Sequence, residues 1–166
     1  MTEVDAICLR PWAEGDLGLL REQNTSEFPG GPEVEEAVLD RHRRYVELST
    51  SGTGRMYVVL VGPDSVVAGS VGYWGKEWDG ESVYETGWHV LPAFQGRGVA
   101  TRAAIAVARI AAAEGDRKEL HAFPPVANTA SVGVCRKAGF ALRGECDFEY
   151  PAGTWIRCED WWMPLG

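Results

Sequence analysis

No stretch of the chain approaches the ~20 consecutive apolar residues that a membrane-spanning helix requires. The first residues, MTEVDAICLRP, carry acids where a secretory signal would be basic. Both absences lead to the expectation of a cytoplasmic protein with no membrane partner. Cysteine is sparse and scattered: Cys8, Cys135, Cys146 and Cys158 show neither CxxC spacing nor clustering with histidine, so no metal is expected. Cys146 and Cys158 are candidates to face each other across a hairpin, as free thiols in a reducing compartment. Basic residues are the minority, 16 against 24 acids for a net charge of −8, which argues against nucleic acid as the main partner. Repeats, low-complexity tracts and linkers are also missing. A chain of 166 residues with 45% hydrophobic content then reads as one domain, residues 1–166, with a full core.

What is present alternates strand and helix signals. ICLRPW reads as a first strand and AEGDLGLLREQN as a short helix. The breaker FPGGP (28–32) follows, and Pro32 opens a second helix in which Val34, Val38, Tyr45 and Leu48 recur at roughly helical spacing. GRMYVVLVGPDSVVAGSVGYWG gives two strands around Gly-Pro-Asp, and Asp79-Gly80 is the strongest two-residue hairpin signal. A strand ending HVLP, a long alanine-rich helix closing near Gly115 and the strand KELHAF come next, and Pro124-Pro125 breaks that strand. NTASVGVCRKAGF is a helix with Asn128 as N-cap and Gly139 at the C-cap position. ALRGECDFEY and TWIRCEDWWMPL form a final strand pair. Seven strands and four helices in this order make a mixed α/β (α+β) domain around one mostly antiparallel sheet.

One segment asks for a reason. In VLPAFQGRGVA, Gly96 and Gly98 bracket Arg97 between a strand end and a helix start, where glycine costs backbone entropy. The first N–H groups of a helix have no intrahelical acceptor, and the helix dipole adds positive charge there. Bare glycines would let a bulky anion such as phosphate touch those groups; an ordinary tight turn is the other reading of the same spacing. The third glycine and downstream acid of a dinucleotide fingerprint are missing, as is the Gly-Lys-Ser/Thr of a P-loop. Arg97 to Lys118 holds five bases and two acids within an acidic chain, consistent with an anion or with a solvated helix face.

This loop resembles the acyl-CoA loop of the GNAT superfamily of N-acyltransferases, Gln/Arg-x-x-Gly-x-Gly/Ala, with Gln95, Gly98 and Ala100 at the three defining positions. Ala100 is the less usual residue at the last of them. Downstream, NTASVGVCRKAGF resembles the family's Asn…Ser…Gly-Phe helix, especially in the subgroup that acetylates N-terminal residues of ribosomal proteins. Together with the element order, the likeness covers nearly the whole chain.

The resemblance implies acetyl-CoA as acyl donor. Pantetheine would run beside GWHVL and pair with the backbone of Val90, and pyrophosphate would take N–H groups from Gln95, Gly96, Arg97, Gly98, Val99 and Ala100. Asn128 would bond the pantetheine arm, cap its helix, or do both. Attack of a neutral amine on a thioester needs a base. Glu85, just before the cofactor strand, is the first candidate; His121 and a water chain stay open. Many relatives carry a tyrosine four residues before the Gly of Gly-Phe as acid for the leaving thiolate; this chain has Cys135, a weak donor. Cys135 would line the cofactor on the same helix face as Ser131, which stands as the alternative acid.

Acidic segments on the other side, Lys76–Glu85 and Arg143–Asp160, each net −3, with Trp74, Trp78 and Trp155 on the same rim, suggest a cationic amine acceptor. Plain solubilising charge explains any single acid equally well. The acceptor's identity stays open, as do acetyl against longer acyl donors and a homodimer through the last strand pair. The reading is therefore an N-acetyltransferase using a ternary complex. The rival is a non-catalytic acyl-CoA-binding sensor of the same fold.

Overall fold

The computed structural model describes residues 6–25 and 31–166. Along the chain come β1 (Ile7–Pro11), α1 (Leu17–Gln23), α2 (Glu35–Ser51), β2 (Gly54–Val61), β3 (Val66–Trp78) and β4 (Glu81–Val90). They are followed by α3 (Val99–Glu114), β5 (Glu119–Ala122), α4 (Thr129–Ala138), β6 (Ala141–Glu149) and β7 (Trp155–Pro164). Short 3-10 turns at Glu14–Asp16 and Pro92–Phe94 precede α1 and the glycine loop. The order and number of elements are those read from the sequence.

The seven strands form one sheet in the order β1-β2-β3-β4-β5-β7-β6. Every neighbouring pair is antiparallel except β4–β5. Alternating residues of each strand face opposite sides. One side buries Tyr57, Val59, Val71, Tyr73 and Leu120 against Val99, Ala103, Val107 and Ala111 of α3. The other side packs Met56 and Val58 against Trp12, Leu19, Leu20 and Val38. Trp12 Nε1 donates to His42 Nδ1 at 3.0 Å, which ties β1 to α2.

Local chemistry sets the boundaries. Asp79 and Gly80 adopt φ of 49° and 78°, so both central residues of the β3–β4 hairpin have the positive φ of a two-residue I′ turn. Gly52 and Gly139 close α2 and α4 in the left-handed conformation, and Asn128 Oδ1 accepts from Ser131 N–H at 3.1 Å as N-cap of α4. The first helix starts later than its pattern suggests. Asp16 accepts from Ala13 N–H at 2.8 Å and pairs with Arg10 at 2.9 Å, holding Glu14–Asp16 as a 3-10 turn ahead of α1. Val34, read as part of the apolar stripe of α2, is 72% exposed because it is the N-cap, one residue before the helical period begins. Phe28, Pro29 and Gly30 of the breaker lie outside the described residues.

The feature that positions the site is the short life of the β4–β5 pairing. Only Tyr84 with Leu120 and Glu85 with His121 are in register. After Ala122 come Phe123, Pro124 and Pro125, and prolines have no N–H to continue a ladder. The chain instead follows β7: Glu159 N–H donates to Pro124 O at 3.0 Å and Val126 N–H to Arg157 O at 3.1 Å. From Thr86 to Val90, β4 runs on without a strand on that side, and the sheet opens.

The close seating of α3 depends on small side chains at Ala103, Ala104, Ala108 and Ala111, all buried. Ala103→Leu should overpack this layer and cost about 1–3 kcal/mol in urea unfolding. Ala112→Leu, on the exposed side of the same helix, should stay within about 0.5 kcal/mol. Equal costs would mean that the α3 layer has room to spare.

Candidate active site

Two cavities lie in the opening between β4 and β5. The first, about 520 Å³, is bounded by β4 from Glu85 to His89, by Ala122–Pro125, and by α1, α2 and the β6–β7 turn. The second, about 610 Å³, lies between Trp88–Ala100 and the first turns of α4. Trp88, His89, Asn128 and Ser131 line both, so the cavities meet at these four residues.

Of the residues singled out in the sequence, Val90, Gln95, Gly96, Gly98, Val99, Ala100, Asn128 and Ser131 all line the second cavity. Gly96 and Gly98 have φ of 74° and 76°, a conformation that L side chains rarely adopt. A Cβ on Gly96 would meet nothing within 4 Å, and one on Gly98 would come within 3.3 Å of Arg102. Gln95 Nε2 donates to Val90 O at 3.0 Å and tethers the loop to the end of β4. Arg97 is in the loop but not in the cavity wall: its guanidinium lies 5.4 Å from the Phe94 ring centroid, and its carbonyl accepts from Arg102 at 2.9 Å.

Cys135 departs from expectation. It is fully buried in the core on the α3 side, lines neither cavity, and burial pushes its thiol up to about 12. The (i, i+4) spacing to Ser131 does put the two near one helix face. The core lies under the Cys135 end of that face, and the cavity under the Ser131 end.

Glu85 belongs to the first cavity. Its Oε1 accepts from Trp74 Nε1 at 3.1 Å, and Lys76 Nζ stands 3.9 Å away. Burial raises its pKa, while Lys76, the Trp74 hydrogen bond and His121 oppose the rise. A carboxylate held closer to neutrality is a better proton acceptor than one in water. His121 is differently placed. Its Nδ1 is 2.6 Å from Asp160 Oδ1 and its Nε2 is 3.0 Å from Glu119 Oε1, in a fully buried position. A carboxylate on each nitrogen outweighs burial and raises the histidine's pKa, and with both nitrogens engaged the ring has no free position to offer a substrate.

Several wall residues carried no signal in the sequence. Arg41 of α2 enters the first cavity, holding Glu33 at 2.8 Å and hydrogen-bonding Tyr150 of the β6–β7 turn. His89, with its pKa lowered by burial and by Arg41, faces the same space. Lys137 lies at the far wall of the second cavity. The expected acidic, tryptophan-bearing rim is mostly neutralised or elsewhere. Glu77 binds Arg117 and Ser82, Glu145 and Asp147 share Arg157, and Trp155 is exposed away from the cavity wall. Among the described residues, Glu85 is the one carboxylate in the wall of either cavity. Cys146 and Cys158 are directly opposed across β6–β7, both as free thiols. No cluster that could hold a metal ion occurs among the described residues, and no helix among them is long and apolar enough to cross a membrane.

A sheet opened at one parallel pair, with a glycine-bracketed helix N-terminus at the opening, defines an α/β acyltransferase architecture. The acetyltransferase (GNAT) domain family matches residues 6–141, and the chain belongs to this family. No curated protein matches the sequence. Among solved structures, RimL, a ribosomal L7/L12 α-N-protein acetyltransferase in complex with coenzyme A through a cysteine disulfide, is similar at 20% identity and a TM-score of 0.74; 95% of this chain and 93% of that one are covered. An acetyltransferase from Salmonella typhimurium that modifies the N-terminal serine of L7/L12 aligns with a TM-score of 0.77 at 18% identity over 99% and 98% of the two chains. The aminoglycoside acetyltransferase AAC(6')-Ib with coenzyme A gives 0.76 at 18% over 96% and 95%. At such identities the likeness speaks for the fold.

The His121 pair yields a pH test. A histidine whose folded pKa is raised contributes stability that is complete below the unfolded value of about 6.5 and fades as pH rises through the folded value. The melting-temperature advantage of wild type over His121→Gln should therefore be larger at pH 6 than at pH 9. A pH-independent difference would show that the ring is neutral in the folded protein.

Proposed function

We propose that the protein transfers an acetyl group from acetyl-CoA to a primary amine by direct attack in a ternary complex. The observation that carries this reading is the meeting of the two cavities at Trp88, His89, Asn128 and Ser131. One cavity ends on helical N–H groups at the start of α3, and the other has the half-buried carboxylate of Glu85 in its wall. A donor and an acceptor held in these spaces would have their reactive ends in contact, which removes much of the entropic barrier to a two-substrate reaction.

The N–H groups from Gln95 to Ala100 would take the pyrophosphate, aided by the dipole of α3 and by Lys137 at the cavity wall. The pantetheine arm would follow β4 beyond Glu85, using backbone groups that β5 leaves unpaired. The incoming amine arrives as an ammonium. Glu85 accepts its proton, directly or through water, and the neutral nitrogen adds to the thioester carbonyl. Collapse expels the CoA thiolate. Ser131 is the hydroxyl at the junction able to donate to that sulfur, whereas Cys135 is screened from it by the helix. A thiolate leaves fairly well unaided, so loss of the relatives' tyrosine at this position is tolerable. A cytoplasmic location, where acetyl-CoA is made, belongs to the same reading. RimL and AAC(6')-Ib, which share the fold, are acetyltransferases of amines on very different carriers.

Glu85→Gln should lower kcat roughly 10²-fold at neutral pH, within the range of general-base catalysis. The deficit should shrink as pH rises and the amine deprotonates in solution. In the wild type, kcat should fall as pH drops through the raised pKa of Glu85. Steady-state release of free CoA measures both; an unchanged kcat would remove Glu85 from the proton path.

The loop is tested by binding alone. Gly98→Val adds a branched side chain where φ is positive and a Cβ already crowds Arg102. Acetyl-CoA affinity in calorimetry should drop at least tenfold, with circular dichroism unchanged. Wild-type affinity would exclude the loop as the pyrophosphate cradle.

A further inference from the structure

Charge in the first cavity is nearly balanced. Among its wall residues Glu85 is the carboxylate and Arg41 the permanent cation. Each already has a counter-charge behind it, Lys76 at 3.9 Å from Glu85 and Glu33 at 2.8 Å from Arg41. Among the described residues of this wall, a polycationic acceptor would find one carboxylate, the group assigned to its reacting amine. Its remaining ammonium groups would face Arg41 or uncharged side chains, with no second described carboxylate to offset their desolvation.

The rest of the wall is predominantly apolar and aromatic. Trp74, Phe123 and Phe148 stand near Glu85, and Pro124 and Pro125 continue that side. Phe123 and Phe148 are 4.9 Å apart between centroids and tilted by 33°, with Lys76 4.4 Å from the Phe148 centroid, so the two rings form one aromatic wall. Arg41 and Tyr150 touch across the cavity, α2 from one side and the β6–β7 turn from the other. That bridge limits what can extend out of a space of about 520 Å³, a size suited to a single small molecule.

We propose that the acceptor is a small monoamine carried on an apolar, aromatic-sized body, whose ring packs against Phe123 and Phe148 while its amine reaches Glu85. The proposal rests on the transferase reading above and narrows it. The aromatic wall supplies affinity through buried area and ring contacts. The balanced charge supplies selectivity, because no second carboxylate among the described wall residues can pair with a further ammonium group.

The test is a panel with the wild-type protein at pH 8 and saturating acetyl-CoA, following free CoA. Phenethylamine, ethylamine, spermidine, kanamycin and a tetrapeptide with N-terminal phenylalanine serve as acceptors. The proposal expects kcat/KM for phenethylamine to exceed that for each of the other four by at least tenfold. Phe148→Ala should then bring the ratio of phenethylamine to ethylamine down toward 1; a ratio that stays where it was would remove the aromatic wall from recognition. If spermidine, kanamycin or the tetrapeptide comes within tenfold of phenethylamine, the acceptor proposal falls while the transferase reading stands. Failure of every amine to release CoA from a protein that binds acetyl-CoA in calorimetry would overturn both. A binding titration of phenethylamine against the CoA-saturated protein reads the pocket without turnover, and no saturable binding would count against the proposal.

Discussion

Everything functional in this fold depends on two strands ceasing to pair. β4 and β5 share two registered residue pairs, and then the prolines at 124 and 125 take the chain away along β7. An ordinary parallel pair buries its backbone in the ladder. Here the far half of β4 keeps its polar backbone on one side without a strand to satisfy it. A ligand arm that presents amides in extended form is the natural substitute. In the proposed reading the cost of leaving a sheet open is recovered when such a ligand binds. The glycine loop, the first turn of α4 and Glu85 all surround this one gap.

The electrostatics around the gap divide two carboxylate systems by task. Asp160 and Glu119 lie against His121, and Trp78 donates to Asp160 at 3.1 Å, so that triad is closed on itself. It fixes β5 against β7 beside the point where the sheet parts. Glu85, in register with His121 on the next strand, has a weaker set: one indole N–H and a lysine at 3.9 Å. The difference follows from position. His121 is sealed, whereas Glu85 borders the cavity, where a substrate ammonium can become its partner. Two neighbours in one register thus separate into a structural ion pair and a group that is incompletely paired without substrate.

Legibility from the sequence followed the range of the interactions. The glycine loop, the Asp79-Gly80 turn, the Asn128 cap and the break at Pro124-Pro125 are local backbone chemistry, and each was readable because neighbouring residues decide it. Helix and strand order followed for the same reason. What the sequence hid was set across long separations. Arg41 and Tyr150 are 109 positions apart and meet only because α2 and the β6–β7 turn overhang the same cavity. Nothing in RHRRY distinguishes the arginine that turns inward from its solvent-facing neighbours. The acidic rim failed for a related reason: a net charge along a segment does not reveal that Arg117, from outside it, binds Glu77, or that Arg157 of β7 gathers both Glu145 and Asp147 of β6. Cys135 shows the limit of helix-face reasoning, because α4 lies over the boundary between core and cavity. A one-turn displacement along its axis moves a side chain from one to the other.

The same boundary bears on position 135, where the resemblance leads one to expect a tyrosine and the chain has Cys135. An acid that serves the leaving thiolate must sit over the cavity, and the position after one further turn of α4 is already over the core. Cys135 is fully buried in the cluster that also holds Val99, Ala103 and Phe140. A thiol is a weak donor that packs as a small hydrophobe, so cysteine satisfies the core where tyrosine would need to reach out of it. In the proposed reaction the proton for the thiolate falls to groups that border the cavity junction, of which Ser131 is the hydroxyl on the same helix.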